Sequence, residues 1–309
     1  MGGAFVAVAS DSTATWWNPA GLAAGPFVDI GWGFDRLGLT KQTTAWRHRT
    51  SWFAAVTPPL GLSYYKYWIT DVQPIASAVS VDGSRSLGWD DLPVQSVMLS
   101  QLGVTIVRTL ISGVHVGTTL KRLQGTRRSG LLENVTSLSV ALERGEAFEG
   151  GDTETRFDLD VGLIAVAGPL RFGAAVRNVR GSEFFTKSSG SDALATGMQL
   201  PRQVRVGAAF DGAAVGSIPL TVAVDADLQT YVTASGERRM IAFGAEQRIL
   251  GRRVAVRLGG RVNTQGARAR VATAGLSVAA GGGLYLDGYV VRGGDVDERG
   301  WGLTARISF

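Results

Sequence analysis

Two histidines, His48 and His115, and no cysteine bound what metal or nucleophilic chemistry this chain could do. Neither histidine has a carboxylate at ligand spacing, so a zinc-type site is not expected. Ser–His–Asp chemistry needs a serine beside its base, but His115 has Thr119 on its own face, and no Gly-x-Ser-x-Gly elbow occurs. No enzyme, metal or cofactor is expected. The charged residues that do recur in pattern are Arg253, Arg257 and Arg261, with Asp225, Asp227, Glu246 and Asp287 on neighbouring segments. Buried charge must be paired, so these predict a ladder of ion pairs inside the fold. Such a ladder could also form a constriction that excludes ions or guides a carboxylate.

The segments carrying these charges alternate with period two. Val254, Val256, Leu258 and Val262 oppose the three arginines, and Leu220, Val222, Val224, Ala226 and Leu228 oppose Asp225 and Asp227. Phe157, Leu159, Val161 and Leu163 oppose Arg156, Asp158 and Asp160, while Trp301, Leu303, Ala305, Ile307 and Phe309 oppose Thr304 and Arg306. Connections alternate between short ones, such as Pro58-Pro59, Ser112-Gly113, Gly168-Pro169 and Gly281-Gly282, and long polar ones over 70–93, 124–155 and 181–201. Tight turns at one end and long loops at the other mark a transmembrane barrel, and the count is about fourteen strands. An even count leaves both chain ends on one side, the periplasmic side if the long loops face outward.

Composition agrees. Glycine is abundant at 42 residues, proline scarce at 9, and only 18% of residues are charged, against about 25% in soluble domains. The chain is 45% hydrophobic, with mean hydropathy +0.12, yet contains no apolar run long enough for a membrane helix. Alternating strands reconcile the two. The net charge of +5 does not indicate a nucleic-acid partner, because the arginines sit at alternate strand positions rather than among stacking aromatics. The fold class expected is all-β: a closed antiparallel transmembrane barrel over residues 27–309, preceded by a distinct segment, 1–26. The localisation expected is the bacterial outer membrane, with an export leader missing ahead of Met1.

That first segment cannot alternate as a strand, because Asn18-Pro19 breaks it. It runs Gly2-Gly3-Ala4-Phe5, through Trp16-Trp17, to Asn18-Pro19-Ala20-Gly21-Leu22. Small residues let such a backbone lie close inside a barrel, and the two tryptophans could wedge it or touch an apolar ligand. The motif resembles the hatch of the FadL-like outer-membrane superfamily, most closely its PorV/PorQ and TraF-like branch. Phe157–Gly162, Leu170–Val179 and Leu200–Gly207 resemble the same branch.

The resemblance implies passive uptake of small hydrophobic molecules, fatty-acid or hydrocarbon-like, with Trp16, Trp17, Asn18, Pro19, Ala20 and Gly21 forming the plug. It also implies a lateral opening at a kinked third strand, where Tyr64-Tyr65-Lys66-Tyr67-Trp68 looks irregular. Its alternative is an accessory or docking subunit in protein export or envelope assembly. The expected partners are outer-membrane lipid, the barrel-assembly machinery, and either a hydrophobic small molecule or an envelope protein. Phe309 resembles the C-terminal signal that the assembly machinery reads. Deleting Phe309 is therefore expected to lower the yield of heat-modifiable barrel in membrane fractions. A monodisperse, detergent-free soluble chain would overturn the membrane reading.

Overall fold

The computed structural model describes residues 1–40, 45–72, 92–185, 198–216, 218–233, 236–251, 253–266, 269–294 and 298–309. Period-two segments become strands, and the strands close on themselves. In chain order they are β1 Asp29–Thr40, β2 Ala45–Thr57, β3 Leu60–Val72, β4 Leu92–Ile111, β5 Val114–Leu132, β6 Asp152–Ala167 and β7 Leu170–Arg177. They continue as β8 Gln203–Asp211, β9 Leu220–Asp227, β10 Met240–Ile249, β11 Val254–Asn263, β12 Arg270–Gly281, β13 Leu284–Gly293 and β14 Arg299–Ser308. Each pairs antiparallel with its sequence neighbours, and β1 pairs with β14 from Asp29↔Ser308 to Gly38↔Arg299, which closes the barrel. Closure leaves no strand edge, so the ladder supplies partners to the wall backbone on both sides.

The register sorts side chains into two populations. Val222, Val224, Phe243, Leu258, Leu303 and Trp301 project outward and are exposed in the isolated chain. Asp29, Asp160, Asp225, Asp227 and Glu246 project inward and are buried. The apolar face is thus the outer one, the reverse of a soluble barrel. No described helix is long and apolar enough to cross a membrane, and the strands carry the apolar surface instead.

Two boundaries differ from the sequence expectation. The stretch 124–155 is not one long loop: β5 continues to Leu132 and β6 starts at Asp152. Between them Ser137 caps a helix, α1 (Leu138–Glu146), accepting a hydrogen bond from the Val140 amide. Leu138, Ala141 and Leu142 of α1 pack on Ala45, Val72, Leu92, Val94 and Leu132, at outward positions of β2 to β5 near their loop ends. Glu146 anchors the helix to the same face through Arg47 and Arg49, at 3.2 and 2.8 Å. Alternation hides this helix in the sequence, because outward apolar residues read as lipid-facing whether lipid or a helix covers them.

The expected irregularity in β3 is also corrected. β3 pairs with β2 and β4 along its whole length without a register shift. Tyr65 faces inward and is buried, whereas Tyr64 faces outward and is exposed. The aromatic run looked irregular because large apolar side chains occupy both faces. The wall is closed at Tyr64, Tyr65, Lys66, Tyr67 and Trp68, so no lateral opening exists there in this state.

The inside–outside assignment has a direct test. Val222→Arg, an outward mid-strand position, should cost about 2–4 kcal/mol of folding stability in lipid vesicles. Thr221→Ser, its inward neighbour, should stay within about 0.5 kcal/mol. Equal costs in a urea titration would refute the assignment.

Candidate functional site

Residues 1–25 do not join the wall. Short turns carry the chain to a helical turn at Ala14–Trp17 and a 3-10 segment at Pro19–Ala24, where Pro19 is suited to the first position because its missing N–H would be unpaired there anyway. Asn18 ties this region together. Its Nδ2 donates to the carbonyls of Val6 (2.9 Å) and of Leu163 in β6 (3.0 Å), and its Oδ1 accepts from the Ala20 amide at 3.2 Å. One fully buried side chain thus bonds the segment to itself and to the wall.

Other anchors come from strands spread around the barrel. Asp225 of β9 accepts from the Phe5 and Val6 amides at 2.7 and 2.9 Å. Asp29 of β1 accepts from the Ser12 amide at 2.9 Å, and Arg306 of β14 bridges Asp29 and Asp11 at 3.2 and 3.3 Å. Thr273 of β12 accepts from the Gly2 amide, and Tyr65 of β3 shares a 2.9 Å hydrogen bond with Thr15. The segment is therefore held inside the barrel by inward-facing groups.

What lets it lie so close is the wall itself. A Cβ on Gly31 would stand 2.6 Å from Ser12 Oγ, on Gly61 2.9 Å from Leu22, on Gly117 2.5 Å from the Ala20 nitrogen, and on Gly162 2.9 Å from Pro19. On Gly173 it would stand 2.7 Å from the Val6 carbonyl carbon, and on Gly244 2.5 Å from the Met1 oxygen. The high glycine count is thus partly a steric imprint of the segment on strands far apart in sequence.

Apolar and aromatic groups follow each other along the lumen from the loop end to the turn end. Phe184 and Phe185, beside a short hairpin of Glu183–Phe184 with Met198–Gln199, pack on Leu99 and Leu123 of β4 and β5, joined by Tyr67, Met198 and Leu200. Next comes Trp16, 5.3 Å from Tyr65 and 5.4 Å from Tyr67 between ring centroids, with Trp52 6.0 Å from Tyr65. At the turn end Ala9, Ala14 and Leu22 pack on Val56 and Val107, with Phe5 and Trp17 alongside at 5.7 Å from each other. Across the lumen from this column stands a cluster of ion pairs. Arg257 bridges Glu246 (2.5 Å) and Asp287 (2.9 Å), and Arg205 pairs with Asp227 at 2.6 Å.

Of the seven residues expected in the ladder, Arg257, Glu246 and Asp287 meet one another, and Asp227 takes Arg205 instead. Arg261 pairs with Glu298 at 2.7 Å, a partner just before β14. Asp225 is taken by backbone amides of the N-terminal segment instead of an arginine. Arg253 is not in the ladder: it lies in the turn before β11, exposed, because that strand begins only at Val254.

The sequence reading missed two groups. Lys121, fully buried, donates to Asp160 and to Asn178, both at 2.6 Å, and the Arg177 guanidinium lies 3.4 Å from the Trp16 ring centroid. Alternation marks Asp160 as inward but cannot say which cation on β5 or β7 reaches it. A cavity of about 10 Å³ lies beside Val6, Trp17, Arg177 and Arg205, barely room for one water.

Gly162→Val should eject the Asn18-Pro19 turn while leaving the barrel ladder intact. The N-terminal segment would then become sensitive to limited proteolysis in a heat-modifiable barrel. A variant as resistant as the parent would show that the close approach does not hold the segment.

The family described as “F plasmid transfer operon, TraF, protein” matches residues 86–227, less than half of the chain. No curated protein matches. Among solved structures the fold is shared with a monoaromatic hydrocarbon channel, the TodX deltaS2S3 mutant, at TM-score 0.65 and 10% identity, covering 100% of this chain and 98% of the other. CymD, also titled a monoaromatic hydrocarbon channel, aligns at TM-score 0.65 and 12% identity over 98% and 94%. The toluene transporter TodX of Pseudomonas putida aligns at TM-score 0.57 and 11% identity over 100% and 97%. At such identities the likeness is one of fold: this chain is a fourteen-stranded barrel of the same architecture as these channels.

Proposed function

We propose that this chain is an outer-membrane channel for passive passage of small hydrophobic molecules, gated by residues 1–26. The observation that carries the reading is the apolar column. Phe184 and Phe185, Tyr67, Trp16 and Tyr65, then Leu22, Val56 and Val107 offer apolar contact from loop end to turn end. A molecule without charge gains from such a path, while ions would have to leave water for it. The structural neighbours TodX and CymD, monoaromatic hydrocarbon channels, agree with a ligand of this kind.

The remaining assignments follow from the same reading. The outward apolar face meets outer-membrane lipid, and the long loops face outward, which puts the segment 1–26 and Phe309 on the periplasmic side. Phe309 then serves the assembly machinery. Trp16, Trp17, Asn18, Pro19, Ala20 and Gly21 form the moving or loosening part of the gate. The ladder of Arg257, Arg261, Glu246, Asp227 and Asp287 stiffens the charged wall. Passage would run past Trp16 and the Phe184–Phe185 pair, which pack on Tyr65 and Tyr67 and on Leu99 and Leu123. The accessory-subunit reading, within a PorV/PorQ-like branch, needs no apolar column. The loop face it would use includes 73–91 and 186–197, outside the described residues.

Deleting residues 2–25 should leave a folded barrel, because the wall ladder closes without them. That barrel should conduct ions in planar bilayers, where the intact protein is nearly silent. Asn18→Ala should remove bonds worth about 1 kcal/mol each and give intermittent openings. In proteoliposomes the intact protein should speed entry of toluene over that of a sugar of similar size. Absence of any toluene effect would sink the transport claim, and equal conductance with and without the segment would sink the gating claim.

A further inference from the structure

The barrel wall distributes its charges unequally. By register and alternation, every Asp and Glu on the described barrel strands occupies an inward position, whereas the charges at outward positions are all cations. With one exception, Arg108 near the turn end, these cations stand toward the loop ends of their strands.

They are densest on β1 to β5. Arg36 of β1 lies directly opposite Arg49 of β2, and Arg49 lies directly opposite Trp68 of β3. Lys66 occupies the same face, with its Nζ 4.8 Å from the centre of the Trp68 ring, and the Arg49 guanidinium approaches that ring at 5.8 Å. Arg122 projects outward from β5. Counting ~3.3 Å per residue, all four stand roughly 20–26 Å along their strands from the turn end, so they form one band.

Its surroundings make this patch a ledge. On the turn side the outward positions are apolar and exposed: Phe34, Phe53, Tyr64 and Leu102. On the loop side α1 covers the wall, held by Glu146. Glu146 serves Arg47 and Arg49, while no ion pair is formed by Arg36, Lys66 or Arg122 among the described residues. Two arginines directly opposite each other on one face repel, and outward carboxylates that could relieve this are absent from the described barrel strands. The band therefore calls for an anion that arrives from outside, at the level where acyl chains give way to head groups.

We propose that this ledge binds the phosphate groups of an acylated, phosphorylated glycolipid in the leaflet on the loop side, with its acyl chains lying on the apolar face below. The proposal rests on the membrane reading above and adds a specific lipid class. Guanidinium and ammonium groups suit phosphate oxygens, and clustered basic side chains draw anionic head groups. Trp68 fits the interface level, where amphipathic rings concentrate.

The test uses the full chain in detergent micelles, titrated with bisphosphorylated lipid A and separately with its dephosphorylated form, with retained lipid read by native mass spectrometry. The parent should retain the phosphorylated form at least roughly tenfold better. The triple variant Arg36→Gln, Lys66→Gln, Arg122→Gln should lose that preference. Charge-conserving Arg36→Lys, Lys66→Arg, Arg122→Lys should keep it, and Arg108→Gln should leave it unchanged. If the triple variant fails to assemble, Lys66→Gln alone decides, with a severalfold loss expected against none. Equal retention of both lipids by the parent, or by parent and glutamine variants alike, overturns the ledge. A heat-modifiable barrel without lipid preference defeats only this inference, whereas a chain that is monodisperse without detergent defeats the membrane reading beneath it.

Discussion

A backbone surrounded by hydrocarbon must find its hydrogen-bond partners within the chain, and the β1–β14 seam is where this chain meets that demand. Ten residue pairs between Asp29↔Ser308 and Gly38↔Arg299 join its two ends. Much else follows from that closure. A closed wall has an inside and an outside, and strict alternation then assigns each strand residue to one or the other. Polar groups sent inward leave water and must be paired, which is why Arg257 holds two carboxylates and Lys121 holds both Asp160 and Asn178.

The same closure creates a lumen that something must fill, and the N-terminal segment does so with little side-chain bulk. Its backbone lies against Gly117, Gly162, Gly173 and Gly244, positions where a Cβ would collide with it. Backbone at that distance brings amides within reach of wall carboxylates, so Asp225 and Asp29 serve the segment as acceptors. Segment and wall are fitted to one another by removing side chains rather than by adding contacts. A tie built from a few hydrogen bonds can open without unfolding strands, which suits a gate.

The apolar column and the ion pairs share the lumen. The aromatic groups gather where β2 to β5 face the segment's Trp16. Ion pairs stand beside them, as Lys121 with Asp160, and across from them, as Arg257 with Glu246 and Asp287. The Arg177 guanidinium on the Trp16 ring joins the two sets.

The sequence by itself determined the period-two strands, the apolar outer face, the tight turns and the break at Asn18-Pro19. These are local properties: side-chain direction follows from strand pleating, and Asn18-Pro19 excludes a strand wherever it stands. The sequence also placed Arg257, Glu246 and Asp287 on inward faces, and they do meet. Only the tertiary structure decided partners across the lumen and outer contacts across the wall. Arg261 takes Glu298, Asp225 takes backbone amides, Arg253 falls in a turn, and α1 covers outward residues that read as lipid-facing. Register with adjacent strands sets those meetings, together with closure between residues nearly 280 apart in sequence. Neither is written in the alternation of any single strand, since alternation says which way a side chain points but not what it finds there.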